Sequence, residues 1–264
     1  MKYKVELQYD YPKDEHQHMI DPPQTHKNDL DKNYAYYNTT KWYKFKRVLW
    51  QIFTWTLARL VIFIRYKPHY FGRENLKKYK EVLDEGFVSV CNHTFEWDFM
   101  VLRLAIQFKK GFVMLWHNNH NRKIGHYIHD YGSVPIPKDD FGASLKFFRD
   151  IKKLLDDGNW LHVYAEEAMF FYYQGLREFK EGAFYIACHN DKPILPLSIS
   201  FRPSRGLWRL WNGKVPCVNC TIGEPLFPNK NLEMKDRIQD LLKRSWEQVN
   251  KQFWDYTPDI KENS

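Results

Sequence analysis

The order of residues predicts an α/β fold: a mixed, largely parallel central sheet covered by helices, preceded by a membrane-associated helical segment. Three observations predict it. Along residues 68–264, short apolar runs alternate with segments of helical period, the pattern of buried strands joined by helical crossovers. One stretch of 17 residues, Val48 to Ile64, holds only four polar residues: Gln51, Thr54, Thr56 and Arg59. The 264-residue chain is 44% hydrophobic and 17% aromatic, enough to enclose a sizeable core and too apolar for disorder. No internal repeat is visible.

Residues 1–40 read as a polar extension. They carry five Lys against seven Asp or Glu, show no helical or strand period, and are interrupted by Pro22-Pro23. Their polar, acidic start lacks the pattern of a secretory signal. A mobile or loosely docked tail is expected, with Tyr34, Tyr36 and Tyr37 available for local docking. Residues 41–67 form the membrane-associated segment. Lys41, Lys44, Lys46 and Arg47 precede the apolar run, and Arg65 and Lys67 follow it. The run sits at the short end of the about 17–25 residues that span a bilayer. Arg59 near its middle favours interfacial insertion, its guanidinium reaching toward phosphates. A buried core helix is the alternative. Basic residues on both flanks leave the orientation open.

The remainder, 68–264, reads element by element. Phe87–Cys91 is a strand, and 99–108 a helix ended by Gly111. Phe112–Trp116 is a strand, and Ser133–Pro137 a short extended piece. Residues 143–157 place Leu145, Phe148, Ile151, Leu154 and Leu155 at helical spacing. Trp160–Tyr164 is a strand, 183–189 a helix, 194–201 and 215–222 strands, and 232–253 a long charged helix.

The net charge is +8, and with the extension at −2 the remaining chain carries about +10. A basic body favours anionic partners such as phospholipid surfaces, phosphate-bearing substrates or acidic carriers. No recognition-helix pattern, RNA-binding signature or Gly/Arg tract points to nucleic acid. Cys91, Cys188, Cys217 and Cys220 are expected to be reduced thiols on the cytosolic side. Cys217-Val-Asn-Cys220 has the spacing of half a zinc site without a second half.

The segment Ser89-Val-Cys-Asn-His-Thr-Phe-Glu-Trp-Asp98 names a chemistry. It places a histidine at the carboxyl end of a strand, where α/β sheets put their ligands, with a helix expected to start close to His93. If Asp98 accepts from one ring nitrogen, the other is free to take a proton from a hydroxyl. A capping His with a solvated Asp is the bland alternative. His117, His120, His126 and His129 offer a rival, a metal cluster, although Gly125 breaks a common helical face.

Asn92-His-Thr-Phe-Glu-Trp-Asp98 resembles the N-H-x-x-x-x-D motif of the glycerolipid acyltransferases, the 1-acyl-glycerol-3-phosphate acyltransferase family. Further blocks follow in the family's order. Gly132-Ser-Val-Pro-Ile-Pro-Lys138 resembles the second block, with Lys138 where an Arg is usual. Val163-Tyr-Ala-Glu166 resembles the approach to the third, and Phe179-Lys-Glu-Gly-Ala-Phe184 the stretch after it. Lys192-Pro-Ile-Leu-Pro-Leu197 resembles the fourth. The third block departs from the pattern: no Gly-Thr-Arg follows Glu166, as in a divergent bacterial subgroup.

The resemblance implies direct acyl transfer from a thioester of coenzyme A or acyl carrier protein to a lysophospholipid hydroxyl, at the cytoplasmic face of the membrane, within phospholipid biosynthesis. It implies His93 as base and Asp98 as its orienter, with no metal or redox cofactor. Lys138, Arg177 and Lys180 are the candidate phosphate binders, and Glu166, with Glu167 as its rival, organises the site. Acyl transfer to another glycerolipid or glycolipid hydroxyl, a non-catalytic lipid-binding protein on the same fold, and a metal-dependent hydrolase are the alternatives.

Overall fold

The computed structural model describes residues 1–21, 23, 30–107, 111–120 and 125–259, the side chains of 125–127 excepted. Seven strands form one sheet in the order β1-β7-β6-β2-β5-β3-β4. They are β1 (His69–Phe71), β2 (Phe87–Val90), β3 (Gly111–Leu115), β4 (Ser133–Pro135), β5 (Trp160–Val163), β6 (Ile194–Arg202) and β7 (Cys217–Ile222). Among the described residues the pairings are parallel except β6 with β7.

The helices are α1 (Lys41–Phe53), α2 (Arg59–Tyr66), α3 (Arg73–Lys78), α4 (Lys80–Asp84), α5 (Asp98–Ile106), α6 (His117–His120), α7 (Gly125–Tyr131), α8 (Phe141–Asp156), α9 (Gly182–His189), α10 (Leu207–Asn212) and α11 (Met234–Asp255). The long periodic elements fall where the sequence places them. The short ones, β1, α3, α4, α6, α7 and α10, were not foreseen, since three to seven residues are too few for a pattern to repeat more than once or twice. Phe108, the expected end of the helix that begins near residue 98, lies outside the described residues.

Alternation along each strand divides the core between the two sheet faces. Val88 and Val90 of β2 join α8, α9 and α11 in one cluster. Phe87 and Cys91 join α2 and α5 in the other. In α8, Asp140 caps the first turn by accepting from the Ala143 amide at 2.7 Å. Phe147, Ile151 and Leu154 then bury one stripe, each contributing roughly 1.5–3 kcal/mol.

This arrangement positions the site. The helix after β2, α5, packs on one face, and the helix after β5, α9, packs on the other. The two strands are neighbours. The carboxyl ends of β2 and β5 are therefore a topological switch point, the place at which α/β sheets bind ligands.

The segment from Lys41 to Tyr66 is one continuous helix, 26 residues long and apolar enough to cross a membrane by length and composition. Thr54–Ala58 is a π-helical turn within it. Thr54, Ala58, Ile62 and Tyr66 are buried against the body. A repeat of four overshoots the 3.6-residue turn by about 40° per step, and the wider π turn returns part of that drift. The opposite side leaves Leu49, Ile52, Leu57, Leu60 and Ile64 exposed. Arg47 ties the helix to the sheet, its Nη2 donating to the Gly111 carbonyl at 2.7 Å and its Nη1 to that of Tyr131.

The extension differs from the expected loose tail. Tyr3, Leu30 and Tyr36 are buried, and Tyr36 donates to the Leu30 carbonyl at 3.0 Å while lying edge-on to Phe147. The signal was present in the sequence: Tyr3, Val5, Leu7, Tyr9 and Tyr11 alternate with polar residues, and their exposure alternates too through residue 10.

Gly132 is fixed by the same Arg47. Its φ is +114°, and a Cβ there would lie 1.4 Å from Arg47 Nη1 and 3.0 Å from the Gly111 carbonyl oxygen. Gly132→Ala is expected to cost about 1–3 kcal/mol through backbone strain and loss of the Arg47 anchor. A thermal scan in detergent checks this, with a fall of roughly 2–4 °C per kcal/mol.

Candidate active site

His93 lies in the loop that leaves β2, and α5 does not begin until Asp98. The helix starts within one residue of the 99–108 reading and not close to His93, so an irregular turn brings the two side chains together. Asn92 fixes the start of the loop to β6. Its amide donates to the Ile199 carbonyl and accepts from the Ile199 amide, both at 2.8 Å.

Asp98 is buried. Its Oδ2 meets His93 Nδ1 at 2.7 Å and accepts from the Thr94 amide at 3.1 Å. Its Oδ1 accepts from the Tyr164 hydroxyl, which projects from the end of β5. The Tyr164 ring stacks on the His93 imidazole, 3.7 Å between centroids and 14° between planes. Burial acts to raise the Asp98 carboxyl, but the His93 charge and hydrogen bond, then Tyr164 and Thr94, prevail and hold it below its usual value. That depressed value contributes stability present above the unfolded carboxyl's pKa of about 3.9, lost as pH falls through the lower folded value.

A carboxylate only accepts, so the proton on this hydrogen bond sits on Nδ1. Nε2 has no protein partner among the described residues, and the ring is 21% exposed. The arrangement can accept a proton at a site open to a ligand. Behind it, His162 of β5 is buried beside Ser89, with Nδ1 to Oγ at 2.8 Å. Trp160 Nε1 donates to the same Oγ, leaving the serine proton for His162. Burial pushes His162 down to about 3, so the ring stays neutral.

Glu166 sits just beyond β5, fully enclosed. Its Oε2 accepts from the His93 amide at 3.1 Å and from Arg177 Nη2 at 2.9 Å. Its Oε1 accepts from the Arg177 amide at 2.9 Å. Burial raises its pKa against the opposing Arg177 charge. Further bonds tie the segment after Glu166 to the loop that carries His93: the Phe170 amide donates to the His93 carbonyl at 3.1 Å and the Tyr172 amide to that of Thr94 at 2.8 Å.

A family model described as Acyltransferase matches residues 67–200, just over half of the chain, and covers this whole constellation. The chain belongs to the acyltransferase family. Its fold is similar to the crystal structure of the 1-acyl-sn-glycerophosphate (LPA) acyltransferase PlsC from Thermotoga maritima. The TM-score is 0.57 at 18% identity, covering 86% of this chain and 87% of that one. At that identity the likeness is one of fold. No curated protein matches in sequence.

In this acyltransferase the other expected residues fall in different places. Lys138 is exposed just after β4, at the same sheet end as His93, and its charge bears on His117. Lys180 is half-buried, 3.8 Å from Glu178. Arg177, expected at a phosphate, is 3% exposed. Its Nη1 donates to the Glu15 carbonyl at 2.6 Å, its Nη2 also reaches the Ala168 carbonyl, and its guanidinium lies 4.0 Å over the Phe170 ring. This geometry makes Arg177 the partner of Glu166 and a positioning residue. Glu167, the rival of Glu166, is exposed with φ +64°.

The rival histidines are dispersed. His120 and His129 lie 6.4 Å apart at their ring centroids, each edge-on to Tyr34. Burial pushes His129 down to about 4. The His126 side chain lies outside the described residues. Among the described residues no group of three or more His, Cys, Asp or Glu could hold a metal. Cys217 and Cys220 are buried free thiols within β7.

The residues that sequence reasoning missed come mostly from the extension. Tyr11 stacks on Phe170 at 5.5 Å and donates to the Phe171 carbonyl at 2.8 Å. Tyr9 stacks on Phe171 at 5.4 Å. His18 stacks on Trp116, beyond the end of β3, at 3.9 Å, within electrostatic reach of His93 and Arg177. The extension thus straps the divergent third block, whose four aromatics take it as their packing partner.

Arg177→Met would leave Glu166 buried without its cation, a loss of about 3–5 kcal/mol. Thermal scans of Arg177→Met, Glu166→Gln and the double variant are expected to show a double loss well below the sum of the singles. Additive losses would mean that the two residues act independently.

Proposed function

We propose that this acyltransferase moves a fatty acyl group from an acyl thioester to the free hydroxyl of a lysophospholipid, 1-acyl-sn-glycerol-3-phosphate, giving phosphatidate. Residues 68–264 are the acyl-transfer domain and 41–67 the membrane segment. The observation that carries the reading is the His93 ring, held by Asp98 through Nδ1 with Nε2 open, at the switch point of an acyltransferase fold.

His93 Nε2 takes the proton of the acceptor hydroxyl as its oxygen attacks the thioester carbonyl carbon. Asp98 stabilises the imidazolium, and Tyr164 holds Asp98 in place. The tetrahedral intermediate collapses with cleavage of the C–S bond. The proton on Nε2 then goes to the leaving thiolate. Coenzyme A or acyl carrier protein supplies the thioester, and its phosphates or acidic surface suit the basic body.

A cavity of about 400 Å³ borders Phe95–Trp97 of the catalytic loop and reaches Val61, Arg65 and Tyr66 of α2. Its aromatic walls suit an acyl chain arriving from the bilayer. The exposed apolar side of α1 and α2 supports insertion into a membrane, and the reading puts it at the cytoplasmic face. α10 extends that surface: Leu207, Leu210 and Trp211 are about 80% exposed, and Asn212 donates to the Ile64 carbonyl at 2.9 Å. With Arg177 enclosed, Lys138 is the stronger candidate for the acceptor's phosphate, since its ammonium is exposed at the site's end of the sheet.

Thiol release from an acyl thioester, measured with lysophosphatidate and with a phosphate-free lysolipid, tests the reading. His93→Ala is expected to lower release by about 10³-fold and Asp98→Asn by about 10²-fold or more, both still unfolding cooperatively but at a lower temperature, since each removes an interaction of the buried Asp98 carboxylate. Full activity in His93→Ala would remove the assignment of the base. Equal turnover of both acceptors would move the acceptor to another glycerolipid.

A further inference from the structure

A second groove, of about 720 Å³, lies between the π turn and α2 on one side and β1, α3 and the end of α5 on the other. It shares no lining residue with the cavity beside the catalytic loop. Trp55, Leu60, Phe63 and Tyr70 give it apolar walls, and Arg59 and Arg73 bring two guanidinium groups. Among the described residues neither arginine lies within ion-pair distance of a carboxylate.

Arg73 is held in place rather than neutralised. Its Nη2 donates to the Leu104 carbonyl at 2.8 Å, and its guanidinium sits 4.2 Å over the Tyr70 ring. Its Nε is buried with no hydrogen-bond partner among the described residues, an arrangement that costs free energy. Arg59 is exposed on the membrane-facing helix. Burial pushes the Tyr70 hydroxyl up, and both guanidinium charges oppose that rise, so both bear on one point.

We propose that this groove is a binding site for an anionic phospholipid of the surrounding bilayer, distinct from the catalytic site. The phosphate lies between Arg59 and Arg73, and an acyl chain follows Trp55, Leu60 and Phe63. Charge complementarity selects the head: guanidinium groups match phosphate oxygens in pairs. The apolar walls, continuous with the exposed side of α2, select an amphiphile over a soluble anion. The site rests on the reading of this helix as membrane-facing. It makes Arg59, out of place in an apolar run, one half of a lipid clamp.

The full chain, purified in detergent, is mixed with phosphatidylglycerol, phosphatidylcholine or inorganic phosphate and examined by native mass spectrometry. Vesicle flotation with phosphatidylcholine alone is the companion measurement. One phosphatidylglycerol retained per chain in preference to phosphatidylcholine is expected. In Arg59→Gln and Arg73→Gln that preference should fall about tenfold, as for one lost charge-assisted hydrogen bond. Arg59→Gln changes an exposed residue and keeps the fold, so it decides the matter if Arg73→Gln unfolds. Lys44→Gln, an exposed cation on the same helix, should leave the preference intact.

An unchanged preference in Arg59→Gln, an equal loss in Lys44→Gln, or displacement of the lipid by inorganic phosphate would each overturn the proposal. Failure of wild type to float with phosphatidylcholine vesicles would instead overturn the membrane-facing reading on which it rests.

Discussion

One buried carboxylate organises the centre of this protein. Asp98 receives His93 Nδ1, the Thr94 amide and the Tyr164 hydroxyl. Those partners come from the loop after β2 and the end of β5, the two strands at the switch point. A carboxylate in that position is stable only if its lone pairs are met. The need to satisfy Asp98 therefore fixes the path of the loop and the pose of the imidazole together. Tyr164 adds a flat surface against the ring, which removes its freedom to swing.

A second buried carboxylate supports the first. Glu166 reaches the His93 backbone and is neutralised by Arg177. Arg177 in turn binds the Glu15 carbonyl of the extension. The chain of contacts runs from a strap at one end of the sequence, through an enclosed ion pair, to the His93 loop. It lets a third block without the usual glycine and arginine hold its shape. The aromatics at 170–173 serve the same end, stacking on Tyr9 and Tyr11 rather than lying open.

The sequence carried the fold class and the His93–Asp98 pair because both rest on local signals. Apolar runs of strand length alternate with helical periods, and the motif sits directly after such a run. What it did not carry depends on distant contacts. Arg177 looked like an open cation because nothing near it in sequence reveals Glu15 or the Phe170 ring. No helix begins close to His93 because the turn from His93 to Asp98 is held by side-chain bonds, not by helical propensity. The strap was legible in principle, since Tyr3 to Tyr11 alternates with period two, but polar composition masked it. Tyr164 and His162 were invisible as site residues because a strand pattern tells only which face a residue takes.

The most direct test of the central claim is the protonation of the His93 ring itself. Nitrogen-15 NMR of the protein labelled at histidine, with the resonance assigned by its loss in His93→Gln, reports which ring nitrogen carries the proton in the neutral form. The expected result is a proton on Nδ1, donated to Asp98, and a bare Nε2. A neutral ring protonated at Nε2 would contradict it, because the nitrogen assigned to take the acceptor's proton would already hold one.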